Sequence, residues 1–103
     1  MKPKFELDIK PSAWQELKRL PGNVRQRIRR AISDLAVNPY PSQSTQLNYK
    51  SSNGELRRLR IDNWRIAYSV IDDDYQIVAI LGIRRRPPYN YSDLENLSAM
   101  IDY

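Results

Sequence analysis

Residues 55–86 read ELRRLRIDNWRIAYSVIDDDYQIVAILGIRRR, and the fold follows from how this stretch alternates. Between 55 and 61, Leu59 and Ile61 alternate with Arg58 and Arg60; between 64 and 71, Trp64, Ile66, Tyr68 and Val70 alternate with Arg65, Ala67, Ser69 and Ile71. A period of two is that of a half-buried strand, because successive side chains on a strand point to opposite faces. Asp62 and Asn63 tolerate left-handed backbone conformations, so they predict a two-residue hairpin loop. That loop fixes a register: Ile61 opposite Trp64, Arg60 opposite Arg65, Leu59 opposite Ile66 and Arg58 opposite Ala67.

The run Tyr75–Arg84 is a third strand, entered through the acidic turn Asp72-Asp73-Asp74. A loop of Asp73-Asp74 puts Val70 opposite Ile77, Ile66 opposite Leu81 and Arg65 opposite Gly82. One face of the meander then carries Trp64, Ile66, Tyr68, Val70, Ile77, Ala79, Leu81 and Ile83, and is core. The other carries Arg58, Arg60, Arg65 and Arg84. Like charges opposed on a sheet destabilise by roughly 0.2–1 kcal/mol, and this face shows no carboxylate to neutralise them. An anionic ligand is therefore expected there. The plainer alternative is a solvated outer face with the arginine stems packed flat. Gly82, beside Arg65 in this register, argues instead for something approaching the backbone closely. On this reading Arg65→Ala leaves stability unchanged or slightly improved.

At 103 residues and 41% hydrophobic, the chain supports one core, so residues 1–103 are read as a single domain. The net charge is +5, and seven of twelve arginines lie between Arg57 and Arg86. Clustering of that kind points to a nucleic acid or another polyanion as partner. The sequence has no cysteine and no histidine, which removes disulfides, thiol nucleophiles, the usual general base and the commonest metal ligands. No metal or cofactor is expected. No run approaches a membrane span of about 20 apolar residues, so a soluble cytoplasmic protein without a membrane partner is expected.

Ahead of the meander, Phe5, Leu7 and Ile9 alternate with polar residues over 4–10 and predict a strand stopped by Pro11. Ser12 with Gln15 reads as a capping box for a short helix carrying Trp14, Leu17 and Leu20. Asn23 reads as the cap of a second helix, in which Val24, Ile28, Ala31, Ile32 and Leu35 form one stripe up to Asn38-Pro39. Arg25, Arg27, Arg29 and Arg30 occupy its other faces, either as a solvated surface with Asp34 or against a nucleic-acid backbone. Residues 38–54 read as a loop touching the core through Leu47 and Tyr49. After Pro87-Pro88, Ser92 with Glu95 opens a C-terminal helix bearing Leu94, Leu97, Met100 and Ile101. That stripe either covers Ile71, Val78 and Ile80 on the arginine side of the sheet or awaits a partner. The expected fold is α+β: β-α-α-β-β-β with a C-terminal helix, the helical hairpin packed on one face of a small, mostly antiparallel sheet.

This order, together with LRRLRIDNWRIAYSVID (56–72) and AILGIRRRPPYNY (79–91), resembles the RelE/ParE superfamily of bacterial toxins from type II toxin–antitoxin systems. The resemblance covers nearly the whole chain. In the RelE branch it implies an endoribonuclease that cleaves mRNA at the A site of the 70S ribosome, silenced by an acidic antitoxin that wraps it. The family's basic strand positions fall on Arg58 and Arg60, its hairpin arginine on Arg65, its late arginine on Arg84, and its C-terminal tyrosine on Tyr89 or Tyr91. Two departures touch proton transfer: a basic position of some members is Leu56 here, and a histidine of others is Ile83.

Cleaving RNA without a metal uses the substrate 2′-hydroxyl as nucleophile, and fixed cations then stabilise the phosphorane. Guanidinium forks match non-bridging phosphate oxygens and keep their charge at working pH. Arg65 and Arg84 are the candidates for that task, and Tyr89, or else Tyr91, for base stacking or proton supply. Arg58 and Arg60, with Arg57, Arg85, Arg86 and Tyr91, are the expected RNA contacts. Two rival functions stay open within the superfamily: a ParE-like inhibitor of DNA gyrase with no catalytic step, and a non-toxic relative that only binds its antitoxin.

Overall fold

The computed structural model describes residues 4–47 and 54–85. In chain order these form β1 (Glu6–Ile9), α1 (Pro11–Lys18), α2 (Gly22–Val37), β2 (Ser44–Gln46), β3 (Glu55–Ile61), β4 (Trp64–Asp72) and β5 (Gln76–Arg85). The strands make one sheet in the order β1-β5-β4-β3-β2, antiparallel except where β1 runs parallel to β5. The α+β architecture is the expected one. The C-terminal helix, Tyr49, Arg86, Tyr89 and Tyr91 lie outside the described residues.

The first hairpin has the expected register, with Ile61, Arg60, Leu59 and Arg58 paired to Trp64, Arg65, Ile66 and Ala67. Asp62 takes the left-handed conformation, at φ 51°. Arg27 on α2 pairs with the Asp62 carboxylate, tying helix to hairpin. At the start of β3, Gly54 has φ 105°, and a Cβ there would lie 2.6 Å from the Val70 carbonyl oxygen, so only glycine fits.

The second hairpin departs from the expected register twice. Its loop is three residues, Asp73-Asp74-Tyr75, closed by Asp73 N–H to the Tyr75 carbonyl at 3.0 Å and by Tyr75 N–H to Asp73 Oδ1 at 2.8 Å. Asp72 therefore pairs with Gln76, Ile71 with Ile77 and Val70 with Val78. Beyond the Tyr68–Ile80 pair the register shifts again, and Ala67 pairs with Gly82, so Leu81 is the extra residue of a β-bulge. A one-residue slip exchanges the faces of a strand. Val78, Ile80 and Ile83 thus join Ile66, Tyr68 and Val70 in the main core under the helices, with Phe5, Leu17, Ile28, Ile32, Leu35 and Leu59. Ile77, Ala79 and Leu81, assigned to that core by the two-residue loop, lie on the opposite face in a second cluster with Leu56 and Ile71. Val78 and Ile80 are correspondingly not on the arginine side.

The helices are entered through backbone rather than side-chain caps. Pro11 occupies the first turn of α1, and neither helix has a side-chain cap bond, so neither Ser12 nor Asn23 acts as the cap expected of it. Ser12 Oγ instead donates to the Leu81 carbonyl across 3.0 Å. Ala13 and Leu17 turn into the core while Trp14 remains 41% exposed. No described helix is long and apolar enough to cross a membrane.

The segment read as a loop contains β2, whose Ser44–Gln46 pairs antiparallel with Arg57–Leu59. Its three residues, STQ, are too few for a period to show. Tyr68, fully buried, donates its hydroxyl to the Pro39 carbonyl at 2.7 Å and pins the start of this segment to the sheet. Burial pushes the Tyr68 phenol above its ordinary value, which keeps it a proton donor. Tyr68→Phe leaves that carbonyl without its partner and is expected to destabilise the protein by about 1–3 kcal/mol. A denaturant midpoint matching that of the unmodified protein would refute the anchor.

Candidate functional site

The double shift in the second hairpin brings together what the first register kept apart. Arg65 pairs directly with Arg84, not with Gly82, and Arg60 pairs with Arg65 from the other side. Arg60, Arg65 and Arg84 therefore form one row across β3, β4 and β5. The next row on the same face is Arg58, Ala67 and Gly82. Small residues follow the arginines, and the cluster of Leu56, Ile71, Ile77, Ala79 and Leu81 lies beyond them.

The three arginines of the row sit in different environments. Arg60 is exposed. Arg65 is only 5% exposed, and its Nη1 donates to the carbonyls of Asp62 and Trp64, each at 2.9 Å. It clamps the tight turn from beneath. These bonds argue against the expectation that Arg65 is energetically idle, because a buried arginine bonded to two backbone oxygens holds structure. Arg84 is half-buried and pairs through Nη1 with Glu16 Oε2. The arginine face therefore does have a carboxylate, contrary to expectation, supplied by α1 over the outer edge of β5.

Glu16 also accepts the Ile83 N–H through Oε1 at 3.3 Å. β1 pairs with β5 only as far as Ile80, so this N–H lies past the end of the ladder, where an edge strand would otherwise show an unpaired donor. What approaches the backbone at Gly82 is this pair: a Cβ there would lie 3.0 Å from Arg84 Nη1 and 3.3 Å from Glu16 Oε1. Sequence reasoning passed over Glu16. Its signal is the spacing Ser12–Glu16, two polar residues one helical turn apart beside Ala13 and Leu17, which both reach β5.

The remaining expected contacts divide between the faces. Arg58, opposite Ala67, is half-buried on the arginine face. Arg57 is opposite Tyr68 on the helix side. Its Nε and Nη2 donate to Ser44 Oγ at 3.2 and 2.8 Å, its Nη1 pairs with Glu55 at 2.6 Å, and its guanidinium lies 5.1 Å from the centre of the Tyr40 ring. Burial, with Asp72 and Glu55 nearby, pushes the Tyr40 phenol up. Arg57 thus fastens β2 to β3, away from the arginine row. Arg85, exposed at the end of β5, is opposite Trp64, also off the row. Among the described residues no group of three or more carboxylates is placed to hold a metal.

Fold and site define a small α+β protein that presents a cationic row from the middle of an antiparallel sheet backed by two helices. A family model described as the ParE toxin of the type II toxin–antitoxin system parDE matches residues 7–87. RelE1 of Methanocaldococcus jannaschii is 31% identical over 83 residues, covering 81% of this chain and 91% of that protein. A chain of the archaeal RelE–RelB complex from Pyrococcus horikoshii superposes with a TM-score of 0.72 at 21% identity, covering 84% of this chain and 99% of its own. The isolated E. coli RelE toxin superposes with a TM-score of 0.63 at 20% identity, covering 89% and 96%. The chain belongs to the RelE/ParE superfamily of toxins of type II toxin–antitoxin systems, and its likeness to RelE1 supports the RelE-like branch.

Proposed function

We propose that this toxin is an endoribonuclease that cleaves mRNA in the A site of the ribosome. The observation that carries the reading is the row Arg60, Arg65, Arg84, three arginines on adjacent strands and one face of the sheet, of which Arg60 is exposed and Arg84 half-buried. In the reaction, the 2′-hydroxyl of the scissile nucleotide gives up its proton to solvent, its oxygen bonds to the adjacent 3′-phosphorus, the bond from phosphorus to the 5′-oxygen breaks, and that oxygen takes up a proton. The products are a 2′,3′-cyclic phosphate and a 5′-hydroxyl end. No metal is needed in this scheme. Arg84 and Arg65 stabilise the charge growing on the phosphorane, Arg60 and Arg58 hold the flanking backbone, and Tyr89 or Tyr91 stacks on a base or supplies the proton. Arg57 and Arg85, lying off the row, are given no direct part in the chemistry. Arg86 extends the basic run. The protein acts in the cytoplasm, and its partner is a cognate acidic antitoxin. Supporting that partner, structures of related toxins include RelE–RelB complexes.

The ParE description of the matching family model favours a second reading, inhibition of DNA gyrase without catalysis. One experiment separates the two. Purified toxin with translating ribosomes is expected to cut message to a 2′,3′-cyclic or 3′-phosphate end. Replacing the 2′-hydroxyl at the scissile nucleotide by hydrogen is expected to block cutting while binding survives, because the phosphate contacts that dominate affinity remain. Equal cutting of the deoxy message, or intact message with gyrase-dependent DNA breaks in expressing cells, overturns the endoribonuclease reading.

A further inference from the structure

An arginine that stabilises a phosphorane works best when its guanidinium is already in place, because ordering a long side chain during the reaction raises the barrier. Arg84 faces an opposing tendency, since it is paired across the strands with Arg65, a like charge. Glu16 is paired with it. We propose that Glu16 is the positioning residue of this site: it fixes the Arg84 guanidinium at the edge of β5 in the orientation that meets the scissile phosphate. For its catalytic consequence the proposal rests on the endoribonuclease reading above.

Three features make Glu16 a fixed support. The helix that bears it is registered to β5 by main-chain and side-chain bonds, Lys10 N–H to the Ile80 carbonyl and Ser12 Oγ to the Leu81 carbonyl, each 3.0 Å. Ala13 and Leu17, on either side of Glu16, are fully buried, so α1 cannot rotate without opening the core. The carboxylate itself is held at both oxygens, Oε1 by the Ile83 N–H and Oε2 by Arg84. Gly82 completes the arrangement by leaving the space in which the pair sits. The pair with Glu16 uses Nη1 of Arg84, one of the three nitrogens of the guanidinium that carry donors. The carboxylate orients the cation, and on this assignment it takes no proton from the substrate.

The test is a double-mutant cycle on message cleavage by translating ribosomes. Glu16→Ala is expected to lower kcat by ~10–100-fold, the scale of a misplaced catalytic group, with KM changed less than about threefold. Glu16→Gln keeps one acceptor oxygen for two donors, Arg84 Nη1 and the Ile83 N–H, and is expected to recover only part of the loss. In an Arg84→Ala background, Glu16→Ala is expected to slow cleavage no further, because the group it positions is gone. Equal factors in both backgrounds, or a Glu16→Ala that cuts at the unmodified rate, would each overturn the proposal. If the unmodified protein cuts no message, the endoribonuclease reading falls by itself, and the positioning is then read by nitrogen NMR of arginine side chains. Separate, slowly exchanging Nη signals for Arg84 that merge in Glu16→Ala support it; signals unaffected by that substitution overturn it.

Discussion

Arg84→Ala is expected to reduce the rate of message cleavage by ~10²–10³-fold, the usual consequence of removing one preorganised donor from a developing oxyanion. The affinity for RNA is expected to fall far less, because the remaining arginines of the face still meet the backbone. Stability changes little: the pair with Glu16 joins two partly exposed side chains, and such ion pairs contribute about 0–1 kcal/mol. The Ile83 N–H also keeps its acceptor when the arginine is removed. Single-turnover cleavage, RNA binding and a melting curve on the same preparation measure all three effects. Cleavage within about threefold of the unmodified protein would remove Arg84 from the chemistry. An equal loss of affinity and rate would make it a binding contact instead.

The first hairpin was legible in full because its signals agree. Alternation, the Asp62-Asn63 turn chemistry and the absence of any competing loop all specify one register, and that register is observed. The second hairpin was not legible, for two separate physical reasons. Asp72-Asp73-Asp74 offers three equivalent turn formers in a row, so loop length is decided by Tyr75, whose N–H is taken by the Asp73 carboxylate. The run Ile77–Ile83 is apolar at every position except Gly82, so it has no period from which a bulge at Leu81 could be read. Strands buried on both faces lose alternation in this way. The consequence for the site was concrete: a two-residue loop put Arg65 beside glycine, whereas the observed pairing puts it beside Arg84. That arginines would gather on one face was readable from the sequence. That a carboxylate from a helix more than 60 residues earlier would join them was not, since Glu16 and Arg84 are 68 positions apart and no local pattern links them.

The other large effect concerns Arg65, whose place in the row and place in the fold are different things. Arg65→Ala truncates a residue that is 5% exposed and leaves the carbonyls of Asp62 and Trp64 without the donor they share. A hydrogen bond from a charged donor contributes about 1.5–3 kcal/mol, and the two acceptors, on an exposed and a half-buried turn residue, can be met by water when it is lost. The expected destabilisation is therefore about 2–3 kcal/mol, which in a domain of this size lowers the melting temperature by roughly 8–20 °C. Toxicity would be lost as well, but that loss alone could not assign a catalytic role, because the turn that carries Arg65 would be loosened. Arg60 supplies the contrast, since it is exposed and directly opposite Arg65 on β3. Arg60→Ala is expected to weaken RNA binding and reduce the salt dependence of that binding while leaving the melting temperature within about 2 °C. Measuring both variants separates the cation that supports the hairpin from the one that only meets the ligand. An Arg65→Ala protein that melts with the unmodified one would mean that its two carbonyl bonds contribute nothing measurable. The arginine would then belong wholly to the ligand-facing row.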